Sequence, residues 1–189
     1  MDKKLYDLMD WAGIEEIVYS EAADPHKLLG PHITDDGLLI SAFIPTAVMV
    51  TVRLASSGKE FPMELADEAG FFAALIPRKN IPEYTLLVVY DNGTTEELYD
   101  PYAFSPLYTE SDLKKFEAGV HYTIYEKMGA HPMSVNGVEG VYFSVWAPCA
   151  MRVSVVGDFN LWDGRRHQMR RLDDSGIFEL FIPGLASGL

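Results

Sequence analysis

The feature of this sequence that most constrains its fold is an internal repeat. Residues 37–45, GLLISAFIP, correspond to residues 140–148, GVYFSVWAP, and residues 70–77, GFFAALIP, correspond to residues 176–183, GIFELFIP. A shorter entry motif precedes each copy, LGPH at 29–32 and MGAH at 128–131. Because the matches keep the same order and nearly the same spacing, they indicate two copies of one structural unit.

The pattern of apolar residues within each copy indicates β-strands. Apolar side chains recur at every second position in residues 48–54, and the apolar runs 71–76 and 84–90 are bounded by turn-forming residues. Asn92-Gly93 is typical of a hairpin turn, because both residues tolerate positive φ. Short strands with frequent turns predict an all-β fold, namely two tandem immunoglobulin-like β-sandwiches, the second incomplete.

Two stretches outside these strands have a helical pattern. Apolar residues between positions 5 and 18 recur at three- and four-residue spacing, which predicts a short N-terminal helix interrupted near Gly13. Residues 111–115, SDLKK, predict a short capped helix in a linker. The predicted organisation is an N-terminal helical segment at 1–22, a first sandwich at 23–104, a linker at 105–128 and a second sandwich at 129–189.

The second copy is expected to lack a strand. The strand at 84–90 of the first copy would begin near position 190 of the second, whereas the sequence ends at Leu189. An exposed strand edge carries unpaired backbone groups that can bind another chain. We therefore expect the chain to be a fragment of a longer protein and to dimerise or aggregate in isolation.

Charge and composition argue against several kinds of partner. The net charge is −13 at pH 7, whereas nucleic-acid binding needs Lys and Arg to neutralise phosphates, and an anionic membrane surface would repel the chain. The sequence contains no apolar run of the ~20 residues that span a bilayer and no basic, apolar leader. Cys149 is the single cysteine, which fits a reducing compartment. We predict a cytoplasmic protein without nucleic-acid or membrane partners.

The candidate binding residues lie in the sequence GDFNLWDG at 157–164. The indole of Trp162 could stack on an apolar face of a small ligand, while Asn160 and Asp158 bond polar groups at its rim. The alternative is that Asp158 and Asn160 cap a turn and Trp162 closes the end of the sandwich. The corresponding residues of the first copy, ASSGK at 55–59, include no aromatic residue and no asparagine. Trp146 lies within an apolar strand and is predicted to pack in the core.

These motifs resemble known families. FSVWAP at 143–148, the alternating strand that follows and GDFNLW at 157–162 are similar to family-48 carbohydrate-binding modules. A narrower resemblance, to bacterial 1,4-α-glucan (glycogen) branching enzymes, covers essentially the whole chain. It rests on DPH at 24–26, LGPH at 29–32, HYTIYEKMGAHP at 121–132 and WDGRRHQMR at 162–170.

The resemblance implies that the chain is the N-terminal, non-catalytic region of such an enzyme and binds α-glucan (glycogen or linear maltodextrin). It makes Trp162, Asn160 and Asp158 the candidate glucan-binding residues, with the indole on the apolar face of a glucose ring and the polar side chains at its hydroxyl rim. It also implies a partner in the same protein, a catalytic (β/α)8 barrel that breaks α-1,4 bonds and remakes them as α-1,6 branches. A barrel needs about 200–250 residues, which two sandwiches leave no room for, so no catalytic residue is assigned and the chain alone is expected to be inactive. The alternatives are a stand-alone glucan-binding or regulatory module and a non-carbohydrate interaction module.

No cofactor and no metal are expected. His26, His32 and His131 lie in turns without a regular ligand spacing, which favours structural roles. Residues 158–169 resemble a calcium loop only faintly, because Trp162 and Met169 stand at ligand positions. Cys149 has no histidine near it in sequence, which favours a packed residue over a nucleophile.

Overall fold

The computed structural model of the protein describes residues 2–186. The chain forms two compact units. The first comprises the described residues up to Ser20 together with residues 26–103, and the second comprises residues 21–25 together with the described residues from Phe104 onward. The sequence-based boundaries at 22, 104 and 128 remain a prediction; the contacts group the stretch predicted as a linker with the second unit.

The first unit begins with two short helices, α1 (Lys3–Leu8) and α2 (Trp11–Val18). The chain is extended at Met9, and the Asp10 carboxylate accepts the Gly13 N–H at the start of α2, as an N-cap does. The predicted interruption therefore lies before Gly13, which is itself helical. Among the described residues, no helix has the length and hydrophobicity that a membrane-spanning helix requires.

Eight strands follow, namely β1 (Gly30–Thr34), β2 (Gly37–Phe43), β3 (Ala47–Leu54), β4 (Glu60–Pro62), β5 (Glu64–Asp67), β6 (Phe71–Ile76), β7 (Tyr84–Tyr90) and β8 (Thr95–Leu98). They form two antiparallel sheets, with strand orders β1-β2-β6-β5 and β4-β3-β7-β8. Alternate side chains of β2 and β6 meet those of β3 and β7 in one buried cluster that includes Ile40, Val52, Phe72 and Val88. This is a β-sandwich, in which the period-two pattern places apolar residues between the sheets.

The second unit contains helix α3 (Glu110–Glu117) and the strands β9 (Gly129–Val135), β10 (Val138–Trp146), β11 (Arg170–Leu172) and β12 (Ile177–Pro183). These strands form one antiparallel sheet of order β11-β12-β10-β9. Its core combines Tyr142, Ile177 and Phe181 of this sheet with Phe104 and Tyr108 from the stretch before α3. The predicted all-β fold is therefore confirmed, and the pairing within its sheets is antiparallel.

Asp112 fixes the stretch between α3 and β9. Its carboxylate accepts hydrogen bonds from Thr109 at the α3 N-cap, from Lys127 Nζ at 2.7 Å and from His121 Nε2 at 3.1 Å. Although burial opposes ionisation, the bonds from Lys127 and Thr109 hold the pKa of Asp112 well below its usual range. This stretch is consequently an ordered part of the second unit.

Each unit contains the same strand pairing, as the sequence repeat predicts. Gly30 pairs with Ser41 in the first unit, and Gly129 pairs with Ser144 at the equivalent position of the second. Two further contacts recur. Ile44 N–H donates to Gly70 O as Ala147 N–H does to Gly176 O, and His32 Nε2 contacts Leu29 O as His131 Nε2 contacts Met128 O.

Each unit contains an equivalent of this sheet, but the units differ in the second sheet. The stretch equivalent to β3 contributes only an isolated bridge between Ser154 and Gln168, so the described residues of the second unit contain one sheet where the first unit has two. The expectation that the isolated chain dimerises or aggregates remains a prediction.

The prediction that Trp146 packs in the core is wrong. Its side chain is 56% exposed, its ring lies 5.9 Å from that of Phe116, and its indole N–H donates to Ser175 O. Trp146 lies on the same face of β10 as the buried Tyr142, but it is the last residue of the strand and therefore sits at the margin of that face.

Asp100 is a buried carboxylic acid in the first unit. Tyr84 Oη donates to one of its oxygens at 2.6 Å and Tyr102 N–H donates to the other at 2.9 Å. Burial raises the pKa of Asp100 to about 6, although both hydrogen bonds act in the opposite direction. The folded state therefore keeps this proton at pH values where the unfolded chain has lost it.

We expect Asp100→Asn to remove a pH dependence of stability. A carboxyl group whose pKa is raised by folding favours the folded state most below its unfolded pKa, and that contribution is lost as pH rises through about 6. Between pH 4 and pH 7, the free energy of unfolding of the wild type should fall by up to about 3 kcal/mol relative to that of Asp100→Asn. Urea unfolding at both pH values measures this, with the exposed Asp91→Asn as the control; a difference that does not change with pH would contradict it.

Candidate functional site

The predicted binding residues lie in a tight turn of the second unit. A single 3₁₀ turn spans Asp158–Asn160, and the next two residues, Leu161 and Trp162, both have left-handed backbone conformations, with φ of 57° and 60°. Such conformations are unfavourable for bulky side chains and persist only where the surroundings enforce them. Both side chains project outward, and Trp162 is 66% exposed.

Asn160 holds this turn from the inside. It is 0% exposed, and its Oδ1 accepts the Gly157 N–H at 2.9 Å. Its Nδ2 donates to Val155 O at 2.8 Å and to His167 Nδ1 at 3.0 Å. Because these bonds use both donors and the oxygen within the protein, the geometry favours the turn-capping alternative for Asn160 over direct contact with a sugar.

Trp162 and Asp158 are oriented toward each other on the exposed side of the turn. The indole N–H of Trp162 donates to Asp158 Oδ1 at 2.9 Å, and both side chains are exposed. The hydrogen bond restricts rotation of an indole that would otherwise be free to turn in solvent. The turn thus presents a fixed aromatic surface beside a carboxylate.

An ion pair lies directly after Trp162 in the chain. Arg165 donates from Nη2 to Asp163 Oδ2 at 2.7 Å and from Nε to Oδ1 at 2.9 Å, which is a bidentate arrangement. The hydrogen bond from Arg165 holds the pKa of Asp163 below its usual value. This pair places a carboxylate and a guanidinium one and three residues after Trp162 in the same loop.

Sequence reasoning missed the role of His167. Its ring lies 5.4 Å from that of Phe159, and it accepts the hydrogen bond from Asn160. Burial, with a further contribution from the charge of Arg166, lowers the pKa of His167 to about 4. No spacing rule connects positions 160 and 167, so the pairing emerges only from the folded turn.

The other candidates lie apart from this turn in sequence and have structural contacts of their own. His32 and His131 each contact the backbone oxygen three residues earlier, and His26 stacks edge-on against Tyr102. Cys149 is exposed. No group of three or more His, Cys, Asp or Glu side chains within residues 2–186 is arranged to hold a metal ion.

Two protein families match the chain. Residues 10–102 match the model described as alpha-1,4-glucan branching enzyme GlgB, N-terminal domain. Residues 127–189 match the model of carbohydrate-binding module 48, described as the isoamylase N-terminal domain. The second match contains the turn with Asp158, Asn160 and Trp162.

Two solved structures show a weaker similarity. A pullulanase from Paenibacillus barengoltzii complexed with maltotetraose is 19% identical, with a TM-score of 0.37 over 70% of this chain and 21% of its own. The catalytic module of the glycogen-degrading pneumococcal virulence factor SpuA is 20% identical, with a TM-score of 0.35 over 53% of this chain and 16% of its own. Similarities this low do not bear on the fold or the function.

A curated relative matches far more strongly. The chain is 47% identical over 180 residues to the 1,4-alpha-glucan branching enzyme GlgB of Thermosynechococcus vestitus. This match covers 93% of the chain and 23% of the relative, so the chain spans about a quarter of that protein's length. Residues 10–102 therefore carry the N-terminal domain of alpha-1,4-glucan branching enzymes, and residues 127–189 carry a family-48 carbohydrate-binding module.

Proposed function

We propose that the chain binds α-glucan through the turn at 157–164, with Trp162 as the stacking surface. The observation that carries the proposal is the exposed indole of Trp162, held in place by its hydrogen bond to Asp158. A rigid, exposed aromatic ring is costly in water and suits the apolar face of a sugar ring. The match to a carbohydrate-binding module supports the same ligand class.

Polar groups beside the indole complete the proposed site. Asp158 offers a carboxylate to sugar hydroxyls, and the Asp163–Arg165 pair offers both acceptors and donors. A few placed polar groups around an apolar surface are typical of small-ligand sites. Asn160 supports this surface from within the turn, which revises its expected role from sugar contact to scaffold.

The charge of the protein favours a neutral ligand. At a net charge of −13, the chain would repel phosphorylated or otherwise anionic polymers, whereas an uncharged glucan experiences no such repulsion. Glycogen and linear maltodextrin both meet this requirement.

In the context of the family, the second unit would bind glucan, and both units would support a catalytic barrel supplied elsewhere in the same protein. That protein would transfer α-1,4-glucan segments to α-1,6 branch points in glycogen biosynthesis, and the single cysteine fits a cytoplasmic setting. A stand-alone glucan-binding module is the alternative, and it predicts the same behaviour of the turn.

We expect Trp162→Ala to weaken glucan binding about 10- to 30-fold, because removal of a central aromatic contact costs about 2 kcal/mol. Glycogen co-sedimentation and affinity electrophoresis in glycogen gels measure this. Trp146→Ala is the matched control, since Trp146 is also an exposed tryptophan of the second unit but lies at the end of β10.

Equal retention of wild type and Trp162→Ala would show that the turn is not the binding surface. If the folded wild type fails to bind glycogen at all, the proposal of glucan binding by this chain is itself wrong.

A further inference from the structure

We infer that His167 is the residue that positions Trp162, by accepting a hydrogen bond from Asn160 at its Nδ1 atom. The inference rests on the proposed function for its consequence in glucan binding, but its structural content can be tested without a ligand. In the inferred role, His167 does not contact the sugar and acts only through Asn160.

The backbone of the turn needs external support. Leu161 and Trp162 are consecutive residues in the left-handed region, an arrangement that bulky L-residues rarely adopt. Backbone hydrogen bonds from Trp162 N–H to Gly157 O at 3.0 Å and from Asp163 N–H to Asn160 O at 3.1 Å close the turn on itself. These bonds are local, so they do not fix the turn relative to the rest of the unit.

Asn160 and His167 connect the turn to the returning chain. The Asn160 amide joins Gly157, Val155 and His167, while Val155 N–H donates to His167 O at 3.0 Å. The Asn160 side chain thus adds to the backbone bonds between the two sides of the loop, which also include Met169 N–H to Val153 O at 2.8 Å. Phe159 covers the His167 ring at 5.4 Å.

The chemistry of these bonds fixes the state of His167. Asn160 Oδ1 is identified as the oxygen because it faces the Gly157 N–H, and Nδ2 as the nitrogen because it faces Val155 O. The amide nitrogen can only donate, so His167 Nδ1 has to accept and cannot carry a proton. The lowered pKa of His167 agrees with this neutral form.

Loss of the acceptor would leave a buried donor of Asn160 without its partner. A buried unsatisfied donor is costly enough to reorganise its surroundings. The part that would reorganise is the turn, because Asn160 is its centre. The orientation of Trp162 is then lost, together with its bond to Asp158.

Three substitutions of His167 in the full chain distinguish loss of the hydrogen-bond acceptor from loss of the packing of its ring. In His167→Asn, Oδ1 is attached to Cγ as Nδ1 is in histidine, so the acceptor keeps its place. In His167→Gln the polar group lies one carbon farther out, and in His167→Leu no acceptor remains. We expect Asn to retain the arrangement and both Gln and Leu to lose it.

The ligand-free measurement is the indole N–H signal of Trp162 in proton–nitrogen NMR spectra. The chain has three tryptophans, so the signal is assigned by its absence in Trp162→Ala. The signal should stay near its wild-type position in His167→Asn and should shift or broaden in His167→Gln and His167→Leu. An unchanged signal in the Gln and Leu variants, or a shift of equal size in all three variants, would overturn the inference.

Glucan affinity provides the second measurement. We expect His167→Gln and His167→Leu to bind glycogen about 10-fold more weakly and His167→Asn to stay within about 3-fold of wild type. If the NMR signals behave as expected while Trp162→Ala binds glycogen normally, the positioning role stands and the proposed function fails. If Trp162→Ala loses binding but the His167 variants leave the indole signal unchanged, the proposed function stands and the positioning role fails.

Discussion

Glu179→Gln is expected to lower the free energy of unfolding of the second unit by about 3–5 kcal/mol, because it removes one partner of a buried ion pair. Glu179 is 0% exposed in the centre of β12. Its Oε1 accepts from Arg170 Nε at 2.8 Å, and its Oε2 accepts from Tyr142 Oη and from the Leu107 N–H. The burial and the nearby Glu179 charge raise the pKa of Tyr142 far above its usual value, which keeps this hydroxyl a donor.

Glutamine cannot replace this carboxylate. Its amide nitrogen has to face either the Arg170 guanidinium or the donors on Tyr142 and Leu107, so a donor meets a donor in both orientations. Arg170 would also lose its counter-charge while it remains largely buried, bonded by Nη2 to Phe104 O. A buried charge without a partner is among the few changes that cost several kcal/mol.

Hydrogen exchange of the β12 amides and urea unfolding both measure this loss. Glu139→Gln is the matched control, since Glu139 lies on β10 and is exposed. A loss of less than about 1 kcal/mol for Glu179→Gln would show that the pair contributes no more than a surface ion pair does.

Gly70→Ala should destabilise the first unit by about 3 kcal/mol, the combined cost of backbone strain and overpacking. The Gly70 φ is +107°, and a methyl group there would lie 2.5 Å from Ile44 O and 2.6 Å from Pro45 Cα. These neighbours are backbone atoms, so they cannot rotate away. The same contact recurs at Gly176, whose methyl group would lie 2.7 Å from Pro148 Cα.

Gly58→Ala measures the cost of backbone strain without a steric clash. Gly58 also has positive φ, at +63°, but a methyl group there would meet nothing within 4 Å. We expect it to cost about 1 kcal/mol, from the backbone conformation alone. Thermal unfolding of the two variants compares them directly, and equal losses would mean that the contact with Ile44 and Pro45 is unimportant.

These glycines explain why so much of the fold could be predicted. The repeat is visible in the sequence because Gly70 and Gly176 are required where each strand returns beside the preceding Pro45 or Pro148. Because any side chain would clash with the backbone of the preceding proline, glycine occupies this position in both copies. Apolar alternation then identifies the strands, which pair in antiparallel sheets.

The burial of particular side chains could not be predicted in the same way. Periodicity assigns Trp146 to the face of β10 that includes Tyr142. It does not show that this face is buried at Tyr142 but exposed at Trp146, the last residue of the strand. Likewise, the polar residues of the turn do not show by themselves which one points inward. Asn160 is buried and Asp158 exposed because only the former reaches the backbone of Val155 and the ring of His167.

The second unit is built from two separate segments of the sequence, which limits how the chain can be divided into fragments. That unit includes residues 21–25, where Ala23 O accepts the Arg171 N–H of β11, although the first unit supplies the residues on both sides of this short stretch. It also includes Phe104 and Tyr108, well before the first strand at Gly129. No single cleavage of the polypeptide therefore releases both units whole. A fragment that starts at the first strand of the second unit loses part of its core, and one that starts at Phe104 still lacks the segment bonded to β11.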